Sequence, residues 1–261
     1  MNRIVFIVAL ILFAACNGTA DKPADRTPAI ASTAKDNSDT RSWTGTIRGN
    51  IPVFMHFALK DSVLAGELVY LNSSNKKPIR ILGQLAPSMY MIKEFSDSGL
   101  ISGTWSGTYS NDSLTGQWYS GNKEFSFSLL PKDTSIDKTI SFTPGKIDGT
   151  YRYQYPKEGG MGEVSIKQLD AAHIIFNASC VTGTPAYHMA TVEDDTIAIN
   201  NYVALYENSE FGNCKFSLHF FNGFLVIQTA ENAADCGFGM GAGVDGIYIK
   251  TSPTFNPLKI E

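Results

Sequence analysis

Residues able to ligate a metal, attack a carbonyl or move a proton are scattered along this chain. His56, His173, His188 and His219 stand far apart, and no His-x-His, His-Glu-x-x-His or Cys-x-x-Cys spacing occurs. A zinc site could form only by long-range assembly. No Gly-x-Ser-x-Gly elbow presents a nucleophilic serine. Asp97-Ser98-Gly99 reads as an ordinary turn followed by Leu100. Glu193, Asp194 and Asp195 read as a solvated turn, short of the oxygen ligands that a calcium loop spaces along itself. These patterns point to no catalytic residue, no metal and no cofactor, and we expect the chain not to be an enzyme. The alternative is a hydrolase whose carboxylates meet only in the fold, Glu158 or Glu163 with Asp170 or Asp245.

The most unusual stretch is Cys236-Gly237-Phe238-Gly239-Met240-Gly241-Ala242-Gly243. Alternate glycines let the backbone turn tightly and expose its N–H groups. A phosphate-cradling loop would need a strand before it, a helix after it and a placed lysine, and none of these is present. The stretch reads either as a tightly bent loop pinned by a disulfide or as a binding loop. In the second case Phe238 and Met240 would be exposed apolar tips, and Tyr248 follows close behind. A disulfide needs two of Cys180, Cys214 and Cys236. We expect Cys214–Cys236 with Cys180 as a buried thiol, because Cys214 and Cys236 bracket one hairpin; Cys180–Cys214 is the alternative.

The compartment follows from the first residues, MNRIVFIVALILFAAC. Arg3 supplies a positive n-region, and the apolar run from Ile4 to Ala15 suits a signal h-region while being too short to span a bilayer comfortably. Its end, Leu12-Phe13-Ala14-Ala15-Cys16, resembles the lipobox of bacterial lipoproteins. That resemblance implies a signal peptide over residues 1–15 and acylation of Cys16 (palmitate among the chains), which would anchor the protein to the bilayer. An ordinary signal peptide cut after Ala15 is the alternative. Residues 16–41 are poor in bulky apolar side chains and read as a disordered tether. No acidic run follows Cys16. We therefore expect a periplasm-facing protein in the envelope of a Gram-negative-type bacterium. A formal net charge of −4, with no basic cluster, argues against nucleic acid as a partner.

The elements behind these residues read as all-β. Ile51, Val53, Met55, Phe57 and Leu59 alternate with their neighbours, which is the period of a strand buried on one face. Further runs follow at 63–71, 79–85, 89–95, 100–109, 114–119 and 125–130, with turn residues between them at the spacing of an antiparallel barrel or sandwich. Gly66 suggests a bulge or a close approach. Trp105 and Trp118 read as core or rim residues of one hairpin, or else as an aromatic platform for a sugar. Residues 42–131 thus form a first module and 132–146 a linker, where Ile140 and Phe142 could add an edge strand.

Residues 147–251 form a second module and 252–261 a tail. Its strands are expected at 162–169, 173–181, 186–193, 196–207, 214–221 and 224–229, with Asp194-Asp195 as a break. Asn222-Gly223 favours a type I′ hairpin turn. Asp148-Gly149-Thr150-Tyr151 is echoed by Asp245-Gly246-Ile247-Tyr248, which supports a closed barrel of about eight strands whose first and last strands meet. With its exported leader, short strands, late disulfide and glycine-rich loop before a final tyrosine, this half loosely resembles the small periplasmic β-barrel inhibitors of lysozyme and the wider calycin-like group. The resemblance implies an anchored module that binds or inhibits a protein or glycan partner in the envelope. A purely structural lipoprotein is the blander expectation.

Overall fold

The computed structural model describes residues 39–86, 88–133, 140–210, 212–230 and 236–258. The expected leader, Cys16 and the tether as far as residue 38 lie outside the described residues. The chain is all-β: two closed antiparallel barrels of eight strands each, in simple meander order.

The first barrel comprises β1 (Asp39–Ile47), β2 (Ile51–Lys60), β3 (Val63–Tyr70), β4 (Ile79–Leu85), β5 (Met89–Phe95), β6 (Ile101–Ser110), β7 (Ser113–Ser120) and β8 (Lys123–Pro131). β1 begins three residues before the expected module boundary at Ser42, and it closes the barrel by pairing Trp43 with Pro131 and Ile47 with Phe127. The alternation in β2 does what its period implies, placing Val53, Met55 and Phe57 inside a core with Trp43, Ile92 and Trp105. Gly66 is a close approach: a Cβ there would lie 2.2 Å from the His56 carbonyl oxygen. Asn111 and Asp112 both take positive φ between β6 and β7, and the expected tryptophan hairpin pairs Trp105 with Trp118.

The second barrel comprises β9 (Gly149–Gln154), β10 (Met161–Gln168), β11 (His173–Val181), β12 (Met189–Asn200), β13 (Val203–Asn208), β14 (Cys214–Phe221), β15 (Phe224–Thr229) and β16 (Gly246–Ser252). Its first and last strands pair, Ile249 opposite Arg152. The sequence echo is a repeated structural device at that seam. The Tyr151 hydroxyl donates to the Ile147 carbonyl at 2.7 Å, and the Tyr248 hydroxyl donates likewise to Val244. Asp148 accepts from the Gln168 N–H, and Asp245 accepts from the Thr229 N–H. Each motif therefore fastens the start of its own strand and the end of the strand beside it.

Three local expectations are corrected. Asp194-Asp195 does not break the chain: β12 runs through it, with a register shift between Phe176 and Ala178 on β11, and the turn falls at Asn201-Tyr202, both at positive φ. The Asn222-Gly223 turn joins β14 to β15 as expected, but Gly223 alone takes positive φ (74°), so it is not type I′. Ile140 and Phe142 add no strand. Phe142 is 1% exposed and plugs a third apolar cluster that draws Ala58, Leu82 and Phe95 from the first barrel and Phe224, Val226 and Ile249 from the second. Arg80 reinforces the joint, donating to the Asn222 carbonyl at 2.9 Å with its guanidinium over the Phe224 ring. The tail crosses the second barrel as a strap. Thr150, Ser165, Asn177 and Asp194 bind its backbone at Thr254, Asn256 and Leu258, which accounts for the buried polar side chains on that face.

Candidate functional site

The glycine-rich stretch sits over one end of the second barrel, where β9, β11, β13 and β15 finish and β10, β12, β14 and β16 begin. Cys214 and Cys236 form the expected disulfide, and Cys180 is a free, buried thiol. The loop is docked rather than free. The Gly239 N–H donates to the Met189 carbonyl at 2.8 Å, and Ala242 N–H donates back to Gly239 at 2.8 Å, tightening the turn. The expected pair of apolar tips is split. Phe238 packs against the barrel core, while Met240 is 83% exposed and points outward. Tyr248 is fully buried beneath the loop, so it contributes to the floor and not to the loop surface. Its hydroxyl lies 3.2 Å from Cys180 Sγ, and burial pushes both the Cys180 thiol and the Tyr248 phenol above their ordinary pKa values. An inert thiol under a packed phenol is a core feature, not a nucleophile.

At this mouth lies a trough. Tyr151, Tyr153 and Tyr155 occupy alternate positions along and beyond β9. Tyr151 lies in the core, Tyr153 packs at its edge beside Tyr248, and Tyr155 reaches the interbarrel cluster. One cleft is walled by Thr229, Phe238, Met240 and Asp245; a second by Tyr153, Tyr155, Thr182 and Asp245; a third by Tyr119, Asn122, Tyr155 and Lys157. The first two share Gly241, Ala242, Gly243 and Asp245 and form one trough, while the third lies beside it with Tyr155 as the common wall.

The carboxylates considered for hydrolysis are each engaged separately. Glu163 pairs with Arg152 at 3.2 Å, Glu158 accepts from the Tyr187 hydroxyl at 3.1 Å, and Asp245 accepts from Thr229. Asp170 is held below the usual carboxylate range, chiefly by the Ala172 N–H and then by His173. Of these four, only Asp245 lines a described part of the trough. The histidines also stay apart: His56 Nδ1 lies 2.9 Å from Ser42 Oγ, His219 Nε2 lies 2.9 Å from Ser217 Oγ, and the backbone N–H of His188 donates to Thr182. Among the described residues no group of three His, Cys, Asp or Glu side chains could hold a metal ion.

The polar centre that sequence reasoning missed is Glu94, 2% exposed inside the first barrel. Its Oε1 accepts from Tyr70, Trp105 and Trp118 at 2.8, 2.8 and 2.9 Å, and its Oε2 accepts from Ser102 at 3.1 Å. Burial next to this carboxylate drives the Tyr70 phenol far above its ordinary pKa. Trp105 is thus buried in the core, while Trp118 is tied down at its rim and half-buried. With its donors satisfied, Glu94 is a structural anchor. The cleft residues Tyr119, Asn122 and Lys157 were also missed, because they lie on a strand end and two turns that only the packing of two barrels brings face to face.

Fold and site define a class: an all-β protein of two eight-stranded barrels in contact, with a trough at the mouth of the second and a further cleft beside it. No family model and no curated protein matches the chain. A crystal structure of a DnaN sliding clamp (DNA polymerase III subunit beta) from Pseudomonas aeruginosa bound to griselimycin aligns with 80% of this chain and 56% of that chain, at 8% identity and a TM-score of 0.16. The chain spans just over half the length of that protein, and a likeness so small carries no argument.

Proposed function

We propose that the chain is a lipid-anchored protein of the bacterial envelope that binds a protein or glycan partner along the trough at the mouth of its second barrel. The observation that carries this reading is the clustering of clefts at the mouth: two share Gly241–Gly243 and Asp245, and a third adjoins them at Tyr155, giving a grooved surface for an extended or convex partner. The exposed Met240 at one end suits an apolar contact. The lipobox-like leader and the cysteine pairing both suit an oxidising extracytoplasmic space.

The test uses the full chain, processed in a Gram-negative host and solubilised. Mass spectrometry of the N-terminal peptide should find an acylated Cys16, and Cys16→Ser should release the protein from membranes. Titration with c-type and g-type lysozymes, and with soluble peptidoglycan fragments, should show saturable binding to one of them that Met240→Asp weakens. Binding indifferent to Met240→Asp and to Tyr155→Ala would move the site elsewhere. An absence of binding to every one of these probes would overturn the proposal.

A further inference from the structure

We infer that the cleft adjoining the trough at Tyr155 is a subsite for a carboxylate-bearing sugar. The inference rests on the binding-module reading above and names a ligand class for one part of it. The cleft has a volume of about 300 Å³ and lies between the end of β7 with its turn, Tyr119–Asn122, on the first barrel and Tyr155–Lys157 on the second. Tyr119 is 39% exposed. Tyr155 is half-buried, and the Lys93 ammonium lies 5.4 Å from its ring centroid. Phenol rings offer a flat, electron-rich face to the C–H groups of a pyranose, while Ser120 and Asn122 at the rim can exchange hydrogen bonds with its hydroxyls.

Charge narrows the class. Lys157 lines the cleft, and its side chain reaches across to the Gly121 turn, its Nζ 3.7 Å from where a Cβ would stand there. Lys157 and Glu158 both take positive φ, 54° and 60°, an uncommon backbone state for residues with a Cβ, and the turn they form carries Lys157 at the cleft. Among the described residues neither Lys93 nor Lys157 has a carboxylate within ion-pairing distance. None of the nearby acids lines the cleft: Glu158 accepts from Tyr187, Asp245 from Thr229, Glu94 from Ser102 and three ring donors inside the barrel, and Glu124 neighbours Tyr119 across the β7–β8 pair. The Lys157 ammonium beside two phenols complements an anion borne on a ring, while Lys93 stays over the Tyr153 and Tyr155 rings.

The walls also separate a sugar from an extended peptide. The strands bordering the cleft are paired on both sides, β6 with β5 and β7, β7 with β6 and β8, β9 with β10 and β16. Those three strands offer a peptide no free edge, so recognition at this cleft falls to ring faces and side chains.

The experiment titrates the full chain with oligogalacturonate and with its methyl ester, which keeps the ring and removes the charge, following affinity by calorimetry and location by NMR shifts. The acid should bind roughly tenfold more tightly than the ester, the factor a charge-assisted hydrogen bond supplies. Lys157→Gln should abolish that difference while leaving ester binding unchanged, and Tyr155→Ala should weaken both. Should Tyr155→Ala fail to fold, the Lys157→Gln comparison still decides. Equal binding of acid and ester would overturn the subsite, as would shifts confined to residues 237–243. Binding of a lysozyme, a peptidoglycan fragment or an extended peptide without oligogalacturonate would overturn the subsite and leave the binding-module reading standing. Failure of every probe would overturn both.

Discussion

The two barrels share a topology and differ in how they finish it. In the first, each strand pairs with both neighbours along most of its length, from β1–β2 round to β8–β1. In the second, β12 and β13 meet at only two residue pairs, Ile199 with Ala204 and Asn200 with Val203. Toward Met189 the strands part, and the glycine-rich loop supplies a backbone bond that a ladder would otherwise make. The first barrel is held from within by a carboxylate and its ring donors. The second is held from outside, by a disulfide, a tail strap and two aspartate–tyrosine clasps. A barrel that closes its own ladder leaves little surface to spare. One that closes through loops presents those loops, and the trough lies there.

The sharpest way to break this contrast is to remove the internal anchor. Glu94→Ala would leave the Tyr70 hydroxyl and two indole N–H groups without their acceptor inside the first barrel. We expect a loss of about 3–5 kcal/mol, read as a lowered urea midpoint. Glu94→Gln keeps one acceptor oxygen and should cost less. A variant as stable as the parent would show that the first barrel does not depend on this centre.

Phe142→Ala tests whether two differently built barrels fold as one unit. Phe142 is buried in the apolar cluster both barrels share, so the substitution should cost about 3 kcal/mol and split a single unfolding transition into two. Two transitions already present in the parent protein would mean that the joint does not couple them.

How much of this was legible follows from range. The strand at 51–60, the tryptophan hairpin and the β14–β15 hairpin are visible because their signals, alternation and turn residues, act over a few positions. Barrel closure was legible only through the Asp-Gly-x-Tyr echo, whose reason is the shared clasp geometry. Asp194-Asp195 misled because two acidic residues usually mark a turn, whereas the tail's Leu258 N–H and the Asn177 side chain occupy Asp194 here. Glu94 gave no local sign at all, since its donors come from β3, β6 and β7. The trough and the cleft beside it were half legible: the glycines stand out in sequence, while Tyr119 and Lys157 become neighbours only across the interbarrel joint.

Reducing the disulfide sharpens the contrast from the other side. Cys214 and Cys236 are 22 residues apart, and in the chain-entropy model their link stabilises by about 3 kcal/mol. The loss on replacing both with serine should be confined to the second barrel, seen as faster amide exchange in β13, β14 and the glycine-rich loop with β1–β8 unchanged. Exchange that rises equally in both barrels would place the disulfide's effect on the whole chain.

Alkaline pH gives the smallest effect per residue, and it should fall unevenly. Tyr151, Tyr153 and Tyr248 in the second barrel all have pKa values raised above the ordinary phenol value of 10.0, first by burial, as do Tyr70 and Tyr90 in the first. A group whose folded pKa is raised contributes stability that is fully present below the unfolded value. Above about pH 10 the unfolded chain releases phenol protons that the folded chain keeps, and stability falls by up to about 1.4 kcal/mol per phenol for each further pH unit. Between pH 9 and 11 the urea midpoint should therefore drop, with tyrosinate absorbance from these residues appearing only as the chain unfolds. Three of these five phenols sit in the loop-closed barrel, so its amides should lose protection first. Tyrosinate absorbance from these residues at pH 11 in a still-folded protein would show them open to solvent, and would remove the packed floor on which the glycine-rich loop rests.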